Sequence, residues 1–307
     1  MAAGGLPGRL KVLERGWLSA NSILFDGDEG TAVVDTGYVT HASQTLTLVD
    51  SALRGRTLDR ILNTHLHSDH CGGNAALQDR YARVQTYIPP GEASLVERWD
   101  EDGMSYRATG QICPRFHFEG QLQPGEAISL GDVAWDILAA PGHDPHSVML
   151  FEPRSRTLIS ADALWEQGFG VVFPELMGEP SFDDVAATFD LIETLKPEWV
   201  IPGHGGVFTD VGGALSSARR RLEGFAKDPA KHARHALKVL VKFRLLEVQS
   251  MSHEEWLSWM NQTPYLETMR ARFFERQKLV ELGHEVLAEL IGAGAASQDG
   301  MRIFNRS

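Results

Sequence analysis

Within six consecutive positions, His65-Leu66-His67-Ser68-Asp69-His70, the chain carries three imidazoles and a carboxylate. Buried imidazoles and carboxylates cost free energy unless they are partnered, so core packing does not account for that density. Metal ions supply such partners, and a fold for this chain has to gather these side chains around a common point. Gly72-Gly73-Asn74 follows, which lets the chain turn tightly before a helix.

Other short apolar runs end in the same kind of residue. Ile61-Leu62-Asn63-Thr64 leads to His65, Ile137-Leu138-Ala139-Ala140-Pro141-Gly142 to His143, Leu158-Ile159-Ser160-Ala161 to Asp162, and Trp199-Val200-Ile201-Pro202-Gly203 to His204. Neighbouring strands in one sheet would bring these distant donors to a single edge, where a rigid scaffold presents a site on its loops.

From Leu10 to about Gly206, β-branched runs alternate with Gly, Pro and Asp, as strands and turns do. Strands are expected over residues 22–26, 31–34, 60–63, 84–87, 133–139, 147–151, 157–160 and 199–201. Helices are expected over 41–53, 74–81 and 183–195, the last stopping at Lys196-Pro197. Beyond the N-cap pair Thr209-Asp210 the composition turns to helix formers until about Ile291. Asp228-Pro229, Gln262-Thr263-Pro264 and the Gly-Ala run from Gly292 divide that stretch into three or four helices. The reading is therefore a mixed α/β catalytic domain over 1–209 and a helical C-terminal region over 210–307. Residues 293–307 read as a loose tail that Met301, Ile303 and Phe304 could dock.

At 307 residues the chain can bury a large core with an appendage. Its net charge of -12 repels phosphate backbones and acidic membrane surfaces, which disfavours nucleic acid and membrane as partners. Cys71 and Cys113 are too few for a disulfide framework and lack C-x-x-C spacing, so a reducing, cytoplasmic setting is expected. The opening MAAGGLPGRLKV has no basic stretch followed by an apolar run.

Taken together, H-x-H-x-D-H at His65 to His70, Pro-Gly-His at His143, Ser-Ala-Asp at Asp162 and Pro-Gly-His-Gly at His204 resemble the metallo-β-lactamase fold superfamily over about Leu10 to Phe208. The resemblance implies a four-layer αβ/βα sandwich with a dinuclear metal site at one end of its sheets. It implies that His65, His67 and His143 hold one metal, that Asp69, His70 and His204 hold the other, and that Asp162 bridges both. Asp35, in Val33-Val34-Asp35-Thr36-Gly37, resembles the superfamily's early aspartate, which supports the ligands. A donor set of imidazole and carboxylate suits two zinc ions, and also iron, manganese or cobalt. Two metals roughly 3.5–4 Å apart share a hydroxide and polarise the substrate's oxygen. Asp69 is then the catalytic residue that orients the hydroxide and passes its proton to the leaving group.

The metal site does not choose the substrate. Glyoxalase II relatives carry a His-Glu-Tyr-like motif at the last ligand, where this chain has His204-Gly205-Gly206, and the tyrosine of lactonases is replaced by Leu164-Trp165. The expected function is hydrolysis of a small ester, thioester or lactone. The alternatives are a metal-binding signalling or binding protein of the same fold with little turnover, or a phosphodiesterase. His146 either assists protonation or sits on the surface, Cys71 is a small packed side chain, and His41, His117, His232, His235, His253 and His284 are structural or solvated. The aromatic-rich stretch containing Trp256, Trp259, Tyr265, Met269, Phe273 and Phe274 is expected to fold over the open metal edge as a cap. A homodimer contact is the competing use of that surface.

Overall fold

Alternation with a period of two decides the layers. In β2 (Ser22–Gly27) Ile23 and Phe25 enter one core while Leu24 enters another, and Val34 and Val33 divide in the same way in β3 (Gly30–Val34). Both faces of these strands are therefore covered, which is why the runs read as continuously apolar. The computed structural model describes residues 5–7 and 9–306. With β1 (Leu10–Leu13), β4 (Arg60–Leu62), β5 (Gln85–Ile88) and β6 (Gly120–Gln121), β2 and β3 build a first sheet in sequential order. Its first two pairings are antiparallel and the remainder parallel. The second sheet runs β11 (Trp199–Pro202), β10 (Thr157–Ala161), β9 (Val148–Glu152), β8 (Val133–Ala139), β7 (Ala127–Leu130), with only β10 and β11 parallel.

The two sheets face each other across Ile23, Phe25, Leu62, Trp135, Leu150 and Ile159. Outside the first sheet lie the helices Ala42–Leu53 and Asn74–Arg80, whose Val49, Leu53 and Leu77 meet Leu24, Val33 and Ile61. Outside the second lie Phe182–Leu195 and Val211–Lys227, whose Phe189, Ile192 and Ala218 meet Met149, Leu158 and Val200. The result is the four-layer αβ/βα sandwich. The expected strands lack β1, β6 and β7, which have four, two and four residues and carry little period.

The C-terminal third departs from expectation in three respects. Val211–Lys227, expected in the helical C-terminal region from 210, packs instead as an outer layer of the sandwich, ahead of the helix that starts at Asp228-Pro229. Residues 211–292 hold five helices rather than three or four, the further ones being Pro229–Val248, His253–Gln262, Pro264–Phe273 and Leu279–Gly292. The tail is not loose. Ala296–Asp299 (β13) and Arg302–Asn305 (β14) form a hairpin that pairs with Ser250–Ser252 (β12) in the order β12-β14-β13, and Ile303 is fully buried opposite Met251. Strands of three or four residues with a mostly polar sequence leave little alternation to detect, and pairing supplies what propensity lacks.

The C-terminal unit's core joins Leu237, Leu240, Trp256, Met260 and Val286 to Val171 and Leu176 of the sandwich. Tyr38 adds a polar tie: its hydroxyl donates to Glu247 Oε1 at 3.0 Å and accepts from the Ile112 amide at 3.2 Å. No helix among the described residues is long and apolar enough to cross a membrane.

Candidate metal centre

Each donor follows the end of a strand. His65 comes shortly after β4; His143 follows the turn after β8; Asp162 and His204 follow β10 and β11. The pairing of β10 with β11 slips between Ile159 and Ala161, and Ala161 has φ +46°, a conformation rarely taken by a residue with a β-carbon. That bulge turns Asp162 off the strand. His67 precedes the helical turn Ser68–Cys71, which presents Asp69 and His70.

Backbone bonds lock these loops together. The Ala20 amide donates to Asp69 O at 2.9 Å, Asn21 N to Gly203 O at 2.7 Å, Thr36 N to His70 O at 2.7 Å, and Val148 N to Thr64 O at 2.8 Å. Asn21 also donates its side-chain amide to Pro202 O and Gly205 O at 2.9 and 2.7 Å. Gly203 lies so close to the cluster that a β-carbon there would stand 2.2 Å from Asp162 Oδ1.

All seven candidate donors come together. His65, His67 and His143 each offer an atom within 4.8 Å of the others, as do His65, His70 and Asp162, and Asp69, His70 and His204. His65, His70, His143, Asp162 and His204 are buried, while His67 and Asp69 are partly open. His67 Nδ1 and His143 Nε2 stand 2.8 Å apart, and His204 Nε2 lies 3.1 Å from Asp69 Oδ2. Asp162 spans the halves, with Oδ2 3.4 Å from His143 Nε2 and Oδ1 3.4 Å from His70 Nε2.

The residues present fit metal ions. The Nε2 atoms of His65 and His70 are buried without a hydrogen-bond partner, a costly state for a ring nitrogen unless a cation completes it. Burial holds His65 well below the ordinary imidazole value and pushes His143 down to about 4, so both stay neutral, the form that ligates. His70 differs: burial opposes its charge, but Asp162, Asp35 and Asp69 outweigh it and lift the group well above its ordinary value. Burial likewise opposes charge on Asp162, and His70 and His204 overcome it and hold the carboxylate well below the usual range.

Asp35 sits beneath this cluster, as its position after β3 suggests. It accepts Thr64 N and Oγ1 at 2.9 and 2.8 Å, and His70 Nδ1 lies 2.8 Å from its Oδ2. That contact places the proton on Nδ1 and turns Nε2 toward the other donors. Asp35 itself has φ +57°.

His67, Asp69, His143, Asp162 and His204 line a cavity of about 480 Å³, a volume suited to a small-molecule ligand. Trp165 lines it and donates its indole N–H to Asp162 Oδ1 at 3.2 Å. Trp17, 57% exposed, stacks on His204 with centroids 5.4 Å apart. Phe173 stands edge-on to His67 at 6.1 Å. From the C-terminal unit the wall receives Val239, Phe243 and Leu246, all on Pro229–Val248. The aromatic stretch expected to cover the metals is otherwise placed: Trp256, Trp259 and Met269 are buried in the unit's own core, and Tyr265 packs against that core and meets Phe173 edge-on at 5.6 Å.

Trp17, Phe173 and Phe243 are lining residues that the sequence reading missed, since none lies in a motif. Asp144 was missed as well, although it directly follows His143: it is buried, accepts the His146 amide at 2.7 Å, and has Oδ2 4.0 Å from His67 Nε2. His146 is exposed and lies against Gly91, outside the cavity lining. Cys71 is buried, its Sγ 3.3 Å from the Tyr106 hydroxyl.

Comparison with known proteins agrees with this architecture. A family model described as the metallo-beta-lactamase superfamily matches residues 15–204. The chain is 30% identical over 151 residues to a hydroxyacylglutathione hydrolase of Thermosynechococcus vestitus, a match covering 49% of this chain and 51% of that protein. The chain spans about half the length of the curated relatives it matches. Among solved structures, TTHA1623 in a di-iron-bound form is 26% identical, with a TM-score of 0.54, covering 68% of this chain and 98% of that one. A metallo-beta-lactamase family protein of Thermus thermophilus shares the fold over 98% of this chain and 100% of its own, at a TM-score of 0.57 and 21% identity.

Proposed function

The chain belongs to the metallo-beta-lactamase superfamily, and from that premise we propose that it is a hydrolase of a small ester, thioester or lactone, with two metal ions held by His65, His67, Asp69, His70, His143, Asp162 and His204. The observation that carries the reading is the convergence of seven donor side chains, five of which line a mostly apolar cavity. His65, His67, Asp69, His70, His143, Asp162 and His204 would hold two divalent ions, which would supply a hydroxide near neutral pH and a Lewis acid for the carbonyl oxygen. Zinc is the first choice for this donor set, with iron or manganese as alternatives; the di-iron-bound neighbour supports iron.

The chain's own residues do the rest. Asp69, partly open to the cavity and beside His204, takes the nucleophile's proton and passes it to the leaving group. Asp35 holds His70 in its ligating tautomer. Phe173 and Phe243 keep bulk water from the reacting carbonyl, and Pro229–Val248 acts as the cap that the aromatic stretch does not provide. The hydroxyacylglutathione hydrolases among the relatives favour a thioester over the other two acyl classes.

The test is metal analysis of protein purified without added metal, then turnover of matched ester, thioester, lactone, β-lactam and phosphodiester substrates. About two ions per chain and turnover of at least one acyl class are expected. Asp69→Asn, with metal content matched, should keep the fold and lose roughly 10²- to 10⁴-fold in kcat. Wild-type activity in that variant on the best substrate contradicts the mechanism, and a stable single-metal protein contradicts the dinuclear assignment.

A further inference from the structure

The charges around the cavity are unevenly distributed. Among the described residues its only acidic lining side chains, Asp69 and Asp162, belong to the candidate ligand set. The remaining charged lining side chains are all basic: Arg221, Lys238 and Lys242, in a chain whose net charge is -12. All three come from the helices Val211–Lys227 and Pro229–Val248.

These cations are not equally engaged. Lys242 spends its ammonium on neutral oxygens, Ala295 O at 2.8 Å, Asn305 Oδ1 at 2.6 Å and Arg306 O. Lys238 lies 3.2 Å from Glu289, a carboxylate it shares with Arg234. Arg221 makes a long bond to Gln167 O, 3.4 Å, and has no carboxylate partner among the described residues.

Arg221 is also tied to the metal edge. Its guanidinium packs so closely on Gly168 that a β-carbon there would stand 2.3 Å from Nη1. Gly168 O accepts the Trp165 amide at 2.7 Å, and the Trp165 indole donates to Asp162. The short loop from Asp162 to Gly168 thus joins the candidate bridging carboxylate to a guanidinium that has donors to spare. His235 lines the same cavity, and burial first, then the charges of Arg221 and Lys238, push its imidazole down to about 4.

We propose that Arg221, assisted by Lys238, is a specificity-determining anion subsite, and that the substrate is an apolar acyl compound carrying a carboxylate or phosphate group away from the bond that is cleaved. A guanidinium presents a planar fork of donors that matches either oxyanion, and the apolar residues that line the same cavity, Phe169, Val239 and Phe243 among them, take the body of the ligand. The inference rests on the cavity being the substrate site of the hydrolase proposed above.

The test separates the two. Binding of non-hydrolysable alkyl amides of one length, ending in methyl, carboxylate or phosphate, is measured on the zinc-loaded protein by calorimetry. The charged ligands should bind about tenfold more tightly than the neutral one, as expected for a partly solvated charged hydrogen bond. Arg221→Ala should remove that preference and leave the neutral ligand unchanged, Arg221→Lys should keep part of it, and the tighter charged arm tells carboxylate from phosphate. Equal binding of all three ligands by the wild type overturns the subsite. So does an anion preference that survives Arg221→Ala, which places the anion on the metals, or a variant that weakens all three equally, which makes Arg221 a packing residue. Turnover of the matching neutral thioester reports on the hydrolase reading alone. Turnover without anion preference sinks only the subsite, and anion preference without turnover of any ester, thioester or lactone sinks only the hydrolase.

Discussion

At the scale of single residues, the site is specified by backbone positions as much as by donors. Asp35 and Ala161 hold left-handed φ values next to the cluster, conformations that cost free energy and persist only where their surroundings enforce them. The bonds from Thr64 and His70 to Asp35, and the bulge in β10, are those surroundings. Gly203 follows the same logic through space. Its missing β-carbon would stand 2.2 Å from Asp162 Oδ1 and 3.0 Å from His70 Cε1, so Gly203→Ala should displace both donors and weaken metal binding roughly 10- to 100-fold. Gly205→Ala is the control: its φ is +89° but nothing lies within 4 Å, so it should cost about 1 kcal/mol of stability and leave affinity intact. Competition with a chromophoric chelator reads both, and equal affinities in the two variants would refute the steric argument.

At the scale of elements, Pro229–Val248 connects the two units. It is capped by Asp228, which accepts the Lys231 amide, and carries Pro229 in its first turn. On one face Glu247 receives the Tyr38 hydroxyl and a bond from Arg244 at 2.6 Å, while Phe243 meets the Tyr38 ring edge-on at 5.0 Å. Tyr38→Phe keeps the ring contact and removes the hydroxyl, so the nearly buried Glu247 carboxylate loses a donor and the Ile112 amide an acceptor; a loss of about 1–3 kcal/mol is expected in urea unfolding. An unchanged midpoint would show that the tie is energetically idle. On another face His232 lies between Phe182 and Phe225, its Nε2 buried without a partner, and burial, with the charge of His235 adding to it, pushes its imidazole down to about 4. Its folded value is lower than the unfolded value near 6.5, so the unfolded chain takes up the proton first as pH falls. Stability is therefore complete above about pH 6.5 and is lost progressively toward pH 4, by up to about 3 kcal/mol from this group. His232→Leu should flatten that part of the stability profile, and an identical acid slope in variant and wild type would refute the assignment.

At the scale of the whole molecule, the cores between and outside the sheets contain none of the seven candidate donors, so the sandwich should outlast loss of metal. Chelation is expected to leave the far-ultraviolet circular dichroism unchanged and to lower Tm by roughly 5–10 °C, the linkage expected for a ligand held at about a hundredfold over its dissociation constant. Loss of the dichroism on chelation would instead make the metals part of the folding core.

The sequence by itself determined the family, the longer strands and several helices of the sandwich, and seven candidate donors. The reason is that each donor sits in a short motif at the end of an apolar run, where local chemistry and local period agree. Asp35 was legible for the same cause, as a turn aspartate after a β-branched strand. What surrounds the metals was decided only by tertiary structure. Trp17, Phe173, Phe243 and Arg221 lie far apart in the chain and in no motif, and they meet because the helix layers and the C-terminal unit pack where they do. Apolar periodicity in Trp256 to Phe274 says that the stretch is buried, but not against what, and its own unit claimed it. The hairpin of β13 and β14 has the same origin: four-residue polar strands acquire their conformation from the partner they pair with, and that partner is a tertiary fact.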